Sequence, residues 1–324
     1  MSSPNLHRLK LIVNPIAGTR SKTGLADAIE KRLGEMGFEI DTELTTGRGD
    51  ATLIAQRAVA SGYDGVLACG GDGTVNETAR AMCDTGVPMG IIPAGSGNGL
   101  ARHITIPIDP MMSLEIIGER HVENCDYVTV NDQPFFCTFG MGFDAAVSDR
   151  FAASGQRGKA TYVKSAFAEF IHYNTNLYRF NLDGEIFERE AFLVTCCNAS
   201  QYGNNAYIAP HASITDGLLD IIIVKKASQF RTFLLGFDLM SGLISDNSLI
   251  ETYRVRHAVI DRANPGPAHL DGEPFKIGTH LDLAIHPGAL RLFTSPDKTP
   301  FKPILTPAEA LIQDFSISFS HFFK

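Results

Sequence analysis

Only six cysteines occur in the 324 residues, and no two of them form a CxxC pair. That spacing is what thioredoxin-like redox motifs and zinc ribbons need, so the sequence offers neither. Cys69, Cys196 and Cys197 lie in apolar runs, which predicts buried, reduced thiols of a cytosolic protein. An excess of positive charge is also missing. With 28 Lys+Arg against 36 Asp+Glu the net charge is −8, which argues against affinity for nucleic-acid backbones. No apolar run approaches the ~20 residues that span a bilayer. Met1–Lys10 holds no apolar signal core, so a cytoplasmic location is expected. Internal repeats and low-complexity tracts are absent too. What is present is a globular composition, 44% hydrophobic and 20% charged. At roughly 150 residues per domain the length suggests about two domains, with core enough to need no disulfide or metal staple.

Along the first hundred residues, short apolar runs alternate with helical spacing. Leu9–Val13, Phe38–Leu44, Gly65–Cys69 and Met89–Ile92 read as strands. Gly24–Gly37, Ala51–Ser61 and Val75–Cys83 read as helices, with Asp50 as a cap for the second. That alternation predicts a parallel, helix-covered sheet, whose ligands sit at the carboxyl ends of the strands. After Ile108-Asp109-Pro110 the pattern changes to antiparallel β-structure. Val122–Thr138, Leu177–Ile186, Ala191–Asn198, Gly217–Val224, Tyr253–Asp261 and Thr279–Ile285 read as strands, parted by turn signals such as Asn131-Asp132 and Asp183-Gly184. Two helical stretches, Gly158–Tyr173 and Gln229–Ile244, interrupt them, and the tail Thr306–Phe322 starts as a helix. Basic residues precede both helical stretches (Arg157 and Lys159; Lys225, Lys226 and Arg231) and read as solvated edges, with an anionic membrane surface as the alternative.

The strongest chemical signal is Gly70-Gly71-Asp72-Gly73-Thr74-Val75-Asn76-Glu77 at the end of the third strand. Glycines let backbone N–H groups approach an anionic oxygen, and the following helix N-terminus favours phosphate. An aspartate in such a loop repels phosphate unless a divalent cation lies between, so Asp72 implies a metal–nucleotide pair, with a plain strand-to-helix turn in which Asp72 is a helix cap as the alternative. Pro93-Ala94-Gly95-Ser96-Gly97-Asn98-Gly99 repeats the arrangement at the next strand end. Neither loop is a Walker-type P-loop, and the second lacks the acid of a dinucleotide fingerprint. His103, His211, His257 and His269 show no metal-ligand spacing and read as solvated or core histidines.

Asn14-Pro15 after the first strand, Gly70–Glu77 and Pro93–Asn98 together resemble the diacylglycerol kinase catalytic family, which includes bacterial lipid kinases and the sphingosine and ceramide kinases. Gly140-Met141-Gly142-Phe143-Asp144-Ala145, Asp216-Gly217-Leu218-Leu219-Asp220 and Asp271-Gly272-Glu273 extend the resemblance in order over most of the chain. A shortened GGDGT also marks NAD kinases and phosphofructokinases; the second loop and the late Asp-Gly-Glu separate the lipid branch from them.

The resemblance implies an α/β nucleotide-binding domain (residues 1–122, with 293–324 returning to it) and a C-terminal antiparallel β-sandwich acceptor domain (residues 123–292), with the active site in the cleft between. It implies ATP and Mg²⁺, a lipid hydroxyl at a membrane surface as acceptor, and a place in phospholipid biosynthesis for a cytoplasmic protein that associates transiently with membranes. By motif, Asn14, Thr45, Gly70, Gly71, Asp72, Gly73, Thr74, Val75, Asn76 and Ser96 would bind the nucleotide, with Asp72 also in the metal network. Glu273 would be the general base. Gly97, Asn98 and Asp144 would contact the acceptor. Asp216, Leu218 and Asp220 resemble a structural Mg²⁺ site of bacterial members. Asp-Gly-Glu occurs twice, at Asp183–Glu185 and Asp271–Glu273, and Asp-Gly is a common hairpin turn; a short hairpin context is expected for the first. The acceptor lipid stays open, because Pro93–Asn98 leans towards sphingosine kinases and Gly73-Thr74 towards the bacterial branch. A kinase for a soluble acceptor such as NAD and a catalytically silent nucleotide-binding protein are the alternatives. Apolar Phe135, Phe136, Phe139 and Phe143 favour lipid over NAD. A homodimer is compatible with all of these.

Overall fold

The computed structural model describes residues 6–16, 24–153, 175–225, 235, 238 and 247–297. The predicted helices over 158–173 and 229–244, and the tail from 298 on, lie outside or almost wholly outside that set. The chain divides into two compact units. One takes the described residues up to Cys125 and those from Gly288 on; the other takes Asp126–Pro287. The changeovers fall within two strands, β5 (Val122–Val130) and β15 (His280–Phe293).

In the first unit, β1 (Arg8–Val13), β2 (Glu39–Leu44), β3 (Gly65–Gly70) and β4 (Met89–Pro93) form a parallel sheet in the order β4-β3-β1-β2. Every residue of β3 and β4 is buried, as expected for strands covered on both faces. Helices α1 (Leu25–Glu35), α2 (Asp50–Ala60) and α3 (Asp72–Met82) supply the cover. Each turns one stripe inward: Ile29 and Leu33; Ile54, Ala55 and Ala58; Val75, Ala79 and Met82. Two of them end on a left-handed glycine. At Gly37 (φ 85°) its N–H donates to Gly34 O, and the next N–H, of Phe38, donates to Leu33 O. Gly62 does the same for α2. This paired cap satisfies the last carbonyls and turns the chain into the next strand.

α3 begins at Asp72, three residues before the sequence reading starts it. The Asp-Gly-Thr of the first glycine motif is therefore the opening turn of the helix and not a free loop ahead of it. A short α4 (Gly99–His103) follows β4, and α5 (Leu114–Gly118) precedes β5.

The second unit is antiparallel, a β-sandwich built on β7 (Thr138–Gly142), β8 (Asn176–Leu182), β9 (Glu185–Cys197), β10 (Leu219–Lys225), β11 (Ile250–Val255), β12 (His257–Arg262), β13 (Gly266–Leu270) and β14 (Glu273–Ile277). β6 (Gln133–Phe135) pairs with β5. The Asp183-Gly184 turn divides the single strand expected over Leu177–Ile186 into β8 and the start of β9, and β9 runs on unbroken through the strand expected from Ala191. Its first half pairs with β8, and its second half lies between β7 and β10. β10 is buried on both faces: Leu219, Ile221 and Ile223 join one apolar cluster, Ile222 and Val224 another. Hairpins at Asn131-Asp132, Asp183-Gly184 and Asp271-Gly272 each carry positive φ at both turn residues, the tight two-residue turn that matches strand twist. α6 (Phe143–Ala153) packs against β7, β13 and β14.

Candidate functional site

In the first unit the predicted nucleotide residues collect at the carboxyl edge of the parallel sheet. Asn14 follows β1, Thr45 follows β2, Gly70 ends β3 and Pro93 ends β4. Asn14 donates its backbone N–H to Cys69 O (2.9 Å) and its side-chain amide to Thr74 Oγ1 (3.1 Å), bracketing the strand exit to α3. Thr45 N–H donates to Val13 O (2.9 Å). The opening N–H groups of α3 have no intrahelical acceptor by construction and carry the positive end of its dipole. Their residues, Asp72, Gly73 and Thr74, open the helix at this same edge.

The two glycine-rich turns are locked to each other. Asp72 accepts Asn98 N–H on Oδ2 (2.9 Å) and Gly99 N–H on Oδ1 (2.7 Å). Its carboxylate thus caps α4, and Arg102 of that helix returns a bond from Nε to Gly97 O (3.1 Å). A Cβ on Gly97 would sit 2.5 Å from Asp72 Oδ2, and one on Gly95 would clash with the Gly71 Cα. Asn98, left-handed at φ 54°, spends its amide on both the N–H and the C=O of Gly95. Gly97 and Asn98, expected at the acceptor, are occupied in shaping this turn. Ser96 is exposed at its tip. Asn76 Oδ1 accepts from Arg80 Nε (2.6 Å) along α3.

Sequence reasoning gave Glu77 no task of its own. Its carboxylate accepts Gly49 N–H (2.8 Å) and Ala51 N–H (3.3 Å), so it caps α2 from a neighbouring helix. Asp50, predicted as that cap, is instead the first helical residue and folds back to accept Thr46 N–H and Oγ1 and Gly47 N–H. Those donors, the Thr46 hydroxyl first, hold its carboxyl below the ordinary aspartate range. A glutamate one residue past Asn76 in the motif was the available signal.

In the second unit Glu273 is exposed and opens β14, directly after the Asp271-Gly272 turn. Asp271 accepts the N–H groups of Phe136, Cys137 and Thr138. The twin at Asp183-Gly184-Glu185 forms the same turn, and Asp183 accepts Arg256 and His257 N–H. Hairpin context therefore does not distinguish the two, contrary to expectation. Their surroundings do. The Asp271 turn lies against a buried polar group: Asp144, at the start of α6, accepts from Thr195 Oγ1 (2.9 Å) and Tyr202 Oη (2.9 Å), and His269 Nε2 stands 3.2 Å away. Burial, and then Asp144 itself, push the Tyr202 phenol well above its ordinary pKa, so it remains a donor. Asp144 was expected to meet the acceptor head group; its Oδ2 already serves three neighbours.

Asp216 and Asp220 were expected to hold a structural Mg²⁺ with Leu218. Arg254 stands in that place. Its guanidinium pairs with Asp216 Oδ2 and lies 3.5 Å from Asp220 Oδ1, while Asp216 Oδ1 accepts Leu218 N–H. Burial raises Asp220 to a pKa of about 6, with Arg254 opposing the shift. Among the described residues no group of three or more His, Cys, Asp or Glu side chains is placed to hold a metal ion. With Arg254 between them the two carboxylates carry their own counter-charge, while Asp220 Oδ2 is buried with no hydrogen-bond partner. No helix among the described residues is long and apolar enough to cross a membrane. The cysteines are free thiols, five of the six buried.

Comparison with known proteins agrees with this architecture. Residues 8–130 match the family model described as the diacylglycerol kinase catalytic domain. Residues 137–294 match the YegS C-terminal NAD kinase beta sandwich-like domain. A diacylglycerol kinase of Mycobacterium tuberculosis is 29% identical over 308 residues, covering 90% of this chain and 98% of the relative. One of Staphylococcus aureus is 30% identical over 239 residues, 68% of this chain and 71% of the relative. A crystal structure of a diacylglycerol kinase from Bacillus anthracis superposes with a TM-score of 0.73 at 23% identity, covering 90% and 98% of the two chains, and so shares the fold. With both family domains in order along one chain, this protein belongs to the diacylglycerol kinase catalytic-domain family, carrying the YegS-type β-sandwich as its C-terminal half.

Proposed function

We propose that the protein transfers the γ-phosphoryl group of ATP to the hydroxyl of a neutral, diacylglycerol-like lipid presented at a membrane surface. The observation that carries the reading is the pair of interlocked glycine turns at the carboxyl edge of the parallel sheet, with α3 opening at Asp72. Backbone N–H groups and a helix N-terminus gathered there suit phosphate. Mg²⁺ on a nucleotide needs only one or two carboxylates, because phosphate and water fill its other positions. Asp72 fits that demand, since each of its oxygens keeps a lone pair beyond the one given to an amide. When bound there, the ion would neutralise charge on the phosphoryl oxygens.

The chain's own residues then do three things. The turns and α3 position the phosphates. Glu273 accepts the proton of the lipid hydroxyl as its oxygen bonds to the γ-phosphorus and the bond to ADP breaks. The second unit presents the acceptor. A neutral acceptor is favoured over a sphingoid base because an amine needs a carboxylate counter-charge, and Asp144, expected to hold a head-group hydroxyl or an amine, is buried and committed to Thr195, Tyr202 and His269.

The test is transfer of label from γ-labelled ATP with Mg²⁺ to dispersed diacylglycerol, sphinganine or NAD. We expect label in diacylglycerol, reduced about 10²- to 10⁴-fold in Glu273→Gln. Label in sphinganine would overturn the neutral acceptor, label in NAD alone would overturn the lipid, and ATP binding without transfer would leave a nucleotide-binding protein.

A further inference from the structure

His269 is almost fully buried, and its two ring nitrogens face two different partners. Nε2 lies 3.2 Å from Asp144 Oδ2, and Nδ1 accepts the backbone N–H of Gly272 at 3.4 Å. An accepting Nδ1 leaves Nε2–H to donate to Asp144. The site is cut to admit this pair. His269 on β13 lies opposite Gly140 on β7, and a Cβ at 140 would collide with both His269 Nε2 and Asp144 Oδ2. Asp144 is fixed on its other sides by Thr195, Tyr202 and the Ala145 N–H (2.8 Å), and the Tyr202 ring stands edge-on to the imidazole at 5.7 Å.

The molecule contains its own control. In the twin turn at Asp183-Gly184, the residue at the corresponding place is Asn181, and its Oδ1 accepts Gly184 N–H at 3.0 Å. An asparagine is thus enough to close an Asp-Gly turn of this kind. The histidine at 269 does that and, through its second nitrogen, ties the turn to Asp144 on α6. The Asn181 turn lies in an exposed hairpin.

We propose that His269 is a positioning residue: it couples the Asp271-Gly272-Glu273 turn to the buried Asp144–Thr195–Tyr202 group and so holds the Glu273 carboxylate in place for proton transfer. This rests on the reading of Glu273 as the base. Small displacements of a catalytic group cost up to about 10²-fold in rate, and a group that only positions changes kcat without changing substrate binding.

The experiment compares His269→Asn and His269→Leu with the unsubstituted protein, measuring kcat, both KM values, thermal stability, and hydrogen exchange of the Gly272 amide. His269→Asn keeps the acceptor that Asn181 uses and loses the link to Asp144. It should retain Gly272 protection and folding yet lose about 10-fold in kcat, with KM for ATP and lipid unchanged. His269→Leu should lose about 100-fold and the Gly272 protection as well. If the leucine variant does not fold, the asparagine variant decides alone. Wild-type kcat in His269→Asn would reduce the histidine to a local turn bond and overturn the coupling. Full activity in Glu273→Gln would sink the base reading instead. The exchange data would still show whether His269 holds the turn, and unaltered Gly272 exchange in His269→Leu would overturn the positioning role by itself.

Discussion

At the scale of single residues, the glycines of the two motifs answer to each other as much as to any ligand. Gly71 and Gly95 approach so closely that a side chain on Gly95 has no space, and Gly97 leaves the opening through which Asp72 reaches the α4 amides. An alanine at 95 must push the two turns apart. Overpacking of this kind costs about 1–3 kcal/mol, and here the displaced groups are the ones proposed to hold phosphate. We therefore expect Gly95→Ala to lower both stability and ATP affinity, the second by at least tenfold in calorimetric titration. Gly34, inside α1, has nothing within 4 Å of its missing Cβ. Alanine there should stabilise by about 0.5–1 kcal/mol, because it removes unfolded-state entropy, and leave nucleotide binding alone. Opposite signs at two glycines of one unit would separate close approach from general intolerance. Equal losses at both would refute the interlocking.

Among elements, α2 and α3 and the Thr45–Gly49 segment form one assembly through two carboxylates. Glu77 caps α2 from α3, and Asp50 gathers the segment in front of it. Glu77→Ala removes the acceptor of two helix-terminal N–H groups and should cost about 1–2 kcal/mol in urea unfolding. Asp50 acts through pH. Its carboxyl is held below the ordinary value of 3.8, so its contribution is present above that value and lost as pH falls through the lowered one. Acid-unfolding curves of wild type and Asp50→Ala should be separated above pH 3.8 and merge at the acid end. A gap of constant size throughout would show that the carboxylate charge is irrelevant. This assembly also marks how far the sequence could be read. Strands β1 to β4 and their helices were legible because apolar periodicity is local. The start of α3 at Asp72 was not, because glycine and aspartate read as loop residues until packing of the two turns makes them helical. β13 and β14 escaped for a related reason: Pro267, Pro274 and the Asp271-Gly272 turn break any alternating pattern, and β14 is an edge strand, where proline is tolerated.

For the whole molecule, the two-part organisation was legible from the change in strand pattern near residue 110, and the candidate residues of the first unit were legible because they follow strand ends. What no local pattern carries is cross-strand partnership. His269 read as a bland histidine, although register sets it opposite Gly140. Arg254 drew no attention, although the β10–β11 register sets it directly opposite Asp220, thirty-four positions earlier in the chain. That pairing bears on whether the fold depends on metal. A cation beside Asp216 and Asp220 offsets the cost of burying the Asp220 carboxylate next to a second acid. Arg254 supplies that charge covalently. Chelation with EDTA should then leave the melting temperature of the wild type unchanged, whereas Arg254→Met should lose about 1–3 kcal/mol. That is below the 3–5 kcal/mol of a fully buried pair, since the arginine side chain is 48% exposed. The same variant should gain stability on adding Mg²⁺, because two carboxylates without a counter-charge form a site that the arginine otherwise fills. A fall in the wild-type melting temperature on chelation would show that an ion, and not Arg254, balances the pair.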